Sequence, residues 1–483
     1  MKFNQIIKFI ILNALILSFG QARGQDASKL SFAYYDSITY RQYLIGNWTE
    51  VINSGKKALS FGYDYKYLRM RMGIAYFNLD NYRFAADYFG KALKYDSYDT
   101  SAAAYFNLSC LPAGRVSEFY RPKNSRKPYK MIEFIYADVL KMGMGKGKDD
   151  FPLNDSATVY RELSQPVSRD YRSLGLSIRP VPKLLIFLGY SDLRLTDRKS
   201  FAYLTQEAIR DSVVDKMYSI DYYYSFPASY RQEDLNTRQQ SSYINLTYFP
   251  VPGLKITPAF NILKINANRL KATFAPEAYT DTSFYRKIDK TWHTFSDTAY
   301  KYTFSRSDTS FTNYVVSLAV NKDIGKFNAG INGSFSRLYD RKVYQLGASL
   351  AWYPMGNTNL YTLSSLTFQM DTARKVYVFE QMAGGRIYKY GWLEGFVTLG
   401  ELKNYSEKNA YLVYNQIYPM NLRYGITFYP FIGKHLEIML MYKYHKTGSL
   451  LTTYKLTSDG SAMYETNPAY NYSTLTGGIK WKL

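Results

Sequence analysis

The sequence Thr-Leu-Thr-Gly-Gly-Ile-Lys-Trp-Lys-Leu at residues 474–483 alternates between apolar and polar positions. Leu475, Ile479 and Trp481 fall on one side of an extended chain, and Lys480 and Lys482 fall on the other. A period of two is typical of a strand with one apolar and one polar face. The stretch therefore predicts a two-faced β-strand.

The same alternation recurs upstream in the ranges 327–336, 421–428 and 435–443. Arg172 is an exception, because it shares the apolar register of its strand near the predicted outer rim. Short turns with Pro or Gly separate the strands at 179–182, 249–253, 323–325, 354–357, 389–391 and 431–433. Longer connections alternate with these turns, at 144–167, 197–239, 267–310, 403–416 and 447–469.

Alternation of short turns and long loops is typical of outer-membrane barrels, with the short turns in the periplasm. We therefore predict an antiparallel transmembrane β-barrel of about fourteen strands over residues 129–483, with apolar faces toward lipid. The rival is a soluble β-sandwich, in which the apolar faces pack on each other and the turns need not alternate in length.

Composition agrees with a membrane location. The chain of 483 residues has 51 Tyr and 29 Phe, and Tyr suits membrane–water interfaces because it joins an apolar ring to a polar hydroxyl. The net charge of +22 indicates anionic surroundings, such as lipid phosphates, an acidic cell-wall polymer or an anionic solute. Nucleic acid is not expected as a partner of an exported chain. The single cysteine, Cys110, can form no internal disulfide.

The range 1–24 reads as a secretory signal peptide. Lys2 and Lys8 precede the apolar run 9–17, and the small residues Ala22 and Gly24 predict cleavage after position 24. No other stretch reaches the roughly 18 apolar residues that a helical span needs. A membrane location therefore requires a barrel.

Residues 25–115 have apolar positions every three or four residues, which predicts helices. The range 66–99 resembles a tetratricopeptide repeat (TPR), because small and large residues stand where paired helices interlock. A weaker copy precedes it, with Asn47-Trp48 matching Asn81-Tyr82, and 101–111 resembles the first helix of a third. The residues that carry the match are Met72, Gly73, Tyr76, Tyr82, Ala85, Phe89 and Ala92.

TPR arrays usually present a concave face to a protein, so the resemblance implies protein binding on a framework of Tyr76, Tyr82 and Phe89. The alternative is that so short an array is a spacer or supports a plug. Residues 116–128, which are basic and rich in proline, are the predicted linker.

No catalytic residue, cofactor or metal site is predicted. His435 and His445 share one strand face, but ten residues of strand span roughly 33 Å, too far for a shared metal. His293 stands alone, and nucleophile elbows, zinc-binding helices and phosphate-binding loops are missing from the sequence. An enzyme is therefore not expected.

Two features of the predicted pore remain. Cationic side chains that face the lumen would favour the passage of anions, unless they pair with acids such as Glu437. The candidates are Arg179, Lys255, Arg423 and Lys443. The aromatic run 222–224, with Phe226, lies in loop 197–239. Its rings would stack on sugars or fold against each other over the pore.

The two-part layout resembles exopolysaccharide-export porins, in which periplasmic TPRs precede an outer-membrane barrel, and the Tyr-rich barrel resembles TPR-plus-barrel proteins of the Bacteroidota. The first hypothesis is a non-enzymatic barrel of the Gram-negative outer membrane. In it, a periplasmic TPR domain docks a protein partner within an export, assembly or anchoring complex.

The alternative is a pore for an anionic solute or a glycan, with the helical domain as gate or plug. An open lumen would favour transport, and a lumen filled by side chains or by loop 197–239 would favour a scaffold.

Overall fold

The computed structural model describes residues 31–482 except 116, 124, 126–130, 143–157, 205–206, 211–221, 226–227, 287–290, 373, 416–417, 419, 434 and 458–459. The predicted signal peptide and much of the predicted linker lie outside the described residues. Within them, five helices precede a sheet that closes on itself. The prediction of helical hairpins followed by an antiparallel barrel of about fourteen strands is confirmed.

The helices repeat at a fixed interval. They are α1 (Phe32–Leu44), α2 (Trp48–Ser60), α3 (Lys66–Asn78), α4 (Tyr82–Tyr95) and α5 (Thr100–Cys110). The odd-numbered helices begin at positions 32, 66 and 100, and α2 and α4 begin at 48 and 82, so each start follows its counterpart at the same interval along the chain. The caps repeat as well, since the side chains of Asn47 and Asn81 each accept a bond from a backbone N–H one turn later. None of the described helices has the length and apolar character needed to cross a membrane.

Glycines let neighbouring helices approach closely. A Cβ added at Gly55 would lie 2.5 Å from the sulfur of Met72, and one at Gly73 would lie 2.7 Å from the Phe89 ring. Met72 and Phe89 are both fully buried. The small residues of this repeat therefore mark the places where large side chains of the next helix enter, as predicted for Gly73.

Carboxylates on this helical domain are held in their charged form. Side-chain hydrogen bonds from Tyr65, Arg69 and Lys66 are the main reason that three aspartate pKa values fall below their usual range. These aspartates are, in the same order, Asp36, Asp64 and Asp96.

Fourteen strands form the ring, and each pairs antiparallel with its two neighbours. They are β1 (Ile132–Met142), β2 (Thr158–Val181), β3 (Leu184–Leu204), β6 (Ala228–Tyr248), β7 (Leu254–Arg286), β8 (Thr291–Ile324), β9 (Phe327–Leu338), β10 (Arg341–Trp352), β11 (Leu360–Met370), β12 (Lys375–Ile387), β13 (Gly391–Leu399), β16 (Met420–Ile432), β17 (Leu436–Gly448) and β20 (Ala469–Lys482). The ring closes because β1 pairs with both β2 and β20. A closed ring has no free edge, which excludes the rival sandwich.

Three further hairpins are not part of the ring. The first is β4 (Glu207–Arg210) with β5 (Tyr222–Ser225), and the second is β18 (Leu450–Thr457) with β19 (Gly460–Thr466), which extends the sheet beside β2. The third, β14 (Tyr405–Glu407) with β15 (Leu412–Tyr414), pairs only with itself. It occupies the lumen.

The two faces of the ring strands differ as the alternation predicts. In β9, Ile331 is 64% exposed on the outside, whereas Ser336 is 2% exposed on the inside. In the last strand, Leu475, Ile479 and Trp481 are exposed, while Thr474 and Thr476 are buried. The barrel therefore has an apolar outer face and a polar inner face.

Several predicted long loops are instead strands that continue beyond the barrel wall. The sequence range 267–310 belongs mostly to β7 and β8, which have 33 and 34 residues and pair along most of their length. A strand of about 9–11 residues suffices to cross a membrane, so these two strands are about three times as long as a crossing requires. Loop 197–239 likewise contributes to β3 and β6. The predicted cluster at 222–226 lies outside the residues whose side chains are described.

Candidate functional site

The segment between β13 and β16 turns inward and crosses the barrel lumen. We call residues 404–415 the luminal hairpin. At its tip, Lys408, Asn409 and Ala410 all have positive φ angles, of 50°, 54° and 68°. Each such non-glycine residue costs of order 1–3 kcal/mol and persists only where its surroundings hold it.

The far wall of the barrel holds this strained tip. Tyr243 donates its hydroxyl hydrogen to the carbonyl oxygen of Asn409 at 3.0 Å, and the Asn261 side chain donates to that of Ala410 at 2.7 Å. Both wall residues are buried. The tip conformation therefore depends on contacts that would be lost if the hairpin left the lumen.

Tyr411 anchors the hairpin in an aromatic cluster. Its ring centroid lies 5.0 Å from that of Tyr243, 5.8 Å from Phe187 and 6.4 Å from Tyr136. Its hydroxyl donates to Ser173 Oγ at 3.2 Å. Aromatic pairs at such distances contribute about 0.5–1.5 kcal/mol each beyond the area that they bury.

An ion pair holds the near side of the hairpin. The Glu407 carboxylate accepts two bonds from the Arg423 guanidinium, at 2.7 and 3.1 Å. Arg423 also bonds Glu380 at 3.2 Å and the Thr398 hydroxyl at 3.0 Å, and it contacts the Tyr414 hydroxyl. One buried cation thus joins the hairpin to three wall strands, because Glu380 is on β12, Thr398 is on β13 and Arg423 is on β16.

A third set of contacts joins the hairpin to β9 and β10. Ser406 Oγ lies 3.2 Å from Ser334 Oγ, and both hydroxyls bond the side-chain oxygen of Gln345. The luminal hairpin is therefore attached to the wall on three sides, through side chains rather than through backbone pairing.

A cavity of about 720 Å³ remains beside the hairpin, bounded by the barrel wall. It reaches Phe134, Glu437 and Lys480, which lie at the short-turn ends of their strands. Aromatic rings line one part, and charged groups, amides and hydroxyls line the rest. The volume falls within the range of small-molecule sites.

The four predicted lumen cations lie in different surroundings. Arg423 is paired as described, and Arg179 pairs with Glu133 and bonds the carbonyl oxygens of Ser117 and Pro182. Lys255 lies near the carboxylates of Asp323 and Glu118. Lys443 lines the cavity.

The helical domain is clamped onto the short-turn end of the barrel by Arg83, which is 2% exposed. Arg83 forms an ion pair with Asp323 and donates to the carbonyl oxygens of Gly325 and Phe327, each at 2.8 Å. Its guanidinium lies 4.3 Å from the ring centroid of Tyr353. Positive φ at Gly253 and Gly325 shapes two of the turns that receive the domain.

A second arginine extends this clamp. Arg115 pairs with Asp87 and Glu118 at 2.8 and 2.7 Å, and lies 3.8 Å from Asp323. Glu118 in turn accepts a bond from the backbone N–H of Gly253. The clamp thus spans two short turns of the barrel.

Two of the three residues predicted as a protein-binding framework, Tyr76 and Phe89, lie inside the helical domain. Phe89 is fully buried against Tyr105, and Tyr76 is buried between Phe84 and Tyr88. These two residues stabilise the repeat. Tyr82 bonds Asp80 through its hydroxyl at 2.6 Å.

The luminal hairpin was not predicted from the sequence, in which loop 197–239 and the helical domain were the candidates for a plug. The signal was weak, because 403–416 is one of several polar connections. The contact between Arg83 and the barrel was not predicted either. An arginine beside the small residues of a tightly packed helix nevertheless indicates that its charge is paired with another group.

His435 and His445 take part in packing. His445 stacks on Tyr472 with centroids 4.5 Å apart and bonds Thr474, and His435 bonds the carbonyl oxygen of Lys482. Across the described residues, no group of three or more His, Cys, Asp and Glu side chains is arranged to hold a metal.

The chain shows only distant similarity to barrels of known structure. No protein-family model matches the sequence, and no curated protein does. The toluene transporter TodX of Pseudomonas putida is 7% identical, with 78% of this chain and 94% of that chain covered and a TM-score of 0.39. A FadL homologue of Pseudomonas aeruginosa is 10% identical, with 80% and 94% covered and a TM-score of 0.39. A bacterial polysaccharide outer-membrane secretin is 8% identical, with 74% and 100% covered and a TM-score of 0.33. Likenesses this low carry no functional argument.

Proposed function

We propose that this chain is a non-enzymatic barrel of the Gram-negative outer membrane whose lumen conducts a solute when the luminal hairpin leaves it. The membrane location is supported by the closed ring with exposed apolar side chains on its outer face. Water-soluble proteins rarely expose so many contiguous apolar residues. Barrels of this kind have their short turns in the periplasm, which supports a periplasmic location for the helical domain.

The luminal hairpin is the observation that carries the transport proposal. It crosses the lumen beside the cavity of about 720 Å³, and the wall residues that hold it are hydrophilic or aromatic groups able to bond water or a solute instead. Its tip has a strained backbone that is held by contacts with the wall, and these contacts would be lost if the hairpin left the lumen. The arrangement is therefore that of a closed gate.

Deletion of the gate tests the proposal. We expect replacement of residues 404–415 by a short Gly-Ser link to give stable open channels in planar bilayers, whereas the unaltered protein conducts rarely. Heat-modified mobility on gels checks that the variant barrel has closed. A folded variant without conductance would refute the transport proposal.

Protein docking by the helical domain is a second candidate function, on a TPR-like array. It is favoured by large apolar side chains that are exposed on the helices and their connections, which are Phe32, Tyr40, Leu44, Ile45, Tyr67 and Leu108. The equal spacing of the helix starts agrees with such an array.

Affinity purification from solubilised outer membranes tests docking. Partners that are lost on deletion of residues 26–115, and also on paired substitution of Tyr67→Ser and Leu108→Ser, would support it. The paired substitution is needed because the deletion also uncovers the barrel turns that Arg83 contacts. An unchanged set of partners would count against docking.

A further inference from the structure

The outer face of the barrel changes abruptly from apolar to cationic along five adjacent strands, β2, β3, β6, β7 and β8. Strand register defines rows of outward-facing residues that run around the barrel. Two apolar rows contain Leu174, Tyr190, Ser242, Ile262 and Tyr314, and below them Leu176, Leu188, Ile244, Phe260 and Val316.

The next two rows, on the side of the long hairpins, carry charge. The first contains Arg172, Asp192, Gln240, Lys264 and Thr312, and the second contains Asp170, Arg194, Arg238, Asn266 and Ser310. These two rows contain four cationic side chains and two carboxylates. They therefore carry an excess of two positive charges next to the apolar rows. We call these two rows the cationic band.

Arg194 and Arg238 stand directly opposite each other across two strands. Like charges in such a pair are destabilising. Asp192 offsets part of this repulsion by bonding Arg238 at 2.7 Å and Arg194 at 3.3 Å. Arg172 is also opposite Asp192 in the register, so a third guanidinium group lies on the strand position beside this carboxylate.

The two arginines also line a groove of about 670 Å³ on this face. Their side chains are 61% and 47% exposed, so their remaining donors are free to bind a ligand. Amide and hydroxyl side chains line much of the rest, among them Asn236, Asn266 and Ser310, and the carboxylates of Asp170 and Asp308 also line the groove. Asp308 accepts a bond from the Asn268 side chain at 2.7 Å. Guanidinium groups suit phosphate, because their paired donors match its oxygens. Amides and hydroxyls suit the hydroxyl groups of a sugar.

We infer that this groove binds the phosphorylated sugar headgroup of a lipid in the outer leaflet, with its acyl chains lying over the apolar rows below. The geometry favours a lipid over a free solute, because the groove and the lipid-facing side chains are continuous along the same strands. The inference rests on the proposed membrane location.

Binding of purified lipid A to the delipidated full-length protein in detergent tests the inference by native mass spectrometry. We expect wild-type protein to bind phosphorylated lipid A and the double variant R194Q/R238Q to bind it at least tenfold more weakly. R386Q is the matched control, since Arg386 is an exposed arginine at the short-turn end of β12, outside both the band and the apolar rows. It should bind as wild type does.

Three results would overturn the inference. They are equal binding by R194Q/R238Q and wild type, equal binding of dephosphorylated lipid A, and displacement of the lipid by inorganic phosphate at equal concentration. The last result would identify a free phosphate as the ligand. Recovery of the protein outside the outer-membrane fraction would instead refute the proposed location, so the two failures are distinguishable.

Discussion

Substitution of Arg83 by Met should release the helical domain from the barrel while leaving both parts folded. The change removes three bonds across the interface, to Asp323, Gly325 and Phe327. It also leaves the Asp323 carboxylate, which is mostly buried, without its main partner. Breaking a buried ion pair in this way costs about 3–5 kcal/mol. At about 1.4 kcal/mol per tenfold change, the docked-to-undocked ratio should fall by roughly two to three and a half orders of magnitude.

Limited proteolysis of the detergent-solubilised protein measures that ratio, because cleavage of a transiently opened segment follows its population. Cleavage between residues 111 and 131 should be at least a hundredfold faster in Arg83→Met. Arg71→Met is the matched control, since Arg71 pairs with Asp36 inside the helical domain and not with the barrel. Equal cleavage of wild type and Arg83→Met would refute the clamp.

Three further predictions concern the packing, the gate and the charges. Gly73→Ala should destabilise the helical domain by about 1–3 kcal/mol, because the new methyl group would press on the Phe89 ring; thermal melting followed by circular dichroism measures this, and an unchanged melting temperature would contradict it. Glu407→Gln should raise the open probability in planar bilayers roughly ten- to hundredfold, because it weakens charge-assisted bonds to Arg423 worth about 1.5–3 kcal/mol; an open probability equal to that of wild type would count against the gate. The pKa of Asp64 is lower in the folded domain than in the unfolded chain, so its ionised carboxylate stabilises the fold at neutral pH. This stabilisation is lost as the pH falls toward the pKa of the folded state, and helicity should therefore decline below about pH 4. That decline should be shallower in Asp64→Asn, and identical pH profiles would contradict the assignment.

The barrel could be predicted because its determinants are local and repeated. Alternation along β9, β16 and β20 indicates the inner and outer faces, and the Pro/Gly turns indicate the strand order. Closure itself follows from the need to satisfy every backbone group in a membrane. The length of β7 and β8 was missed because polar strands beyond the membrane lack the apolar face that marks the others.

The interior could not be predicted in the same way. Glu407 and Arg423 are close in the sequence, but nothing in either neighbourhood indicates that a polar loop turns inward to join them. Arg83 and Asp323 are separated by 240 residues, so their pairing depends on where the helical domain sits. Such contacts are set by tertiary arrangement and leave no periodic signal in the chain.

The most direct test of the gate is a reversible lock between the luminal hairpin and the wall. Ser334 and Ser406 have side-chain oxygens 3.2 Å apart, so the two side chains meet, and cysteines at these positions are the pair to test for a disulfide. Cys110 is buried in the helical domain and should not interfere. With S334C/S406C in a planar bilayer, we predict no openings under oxidising conditions and openings at the wild-type frequency after reduction. Equal conductance in the oxidised and reduced states would contradict the account.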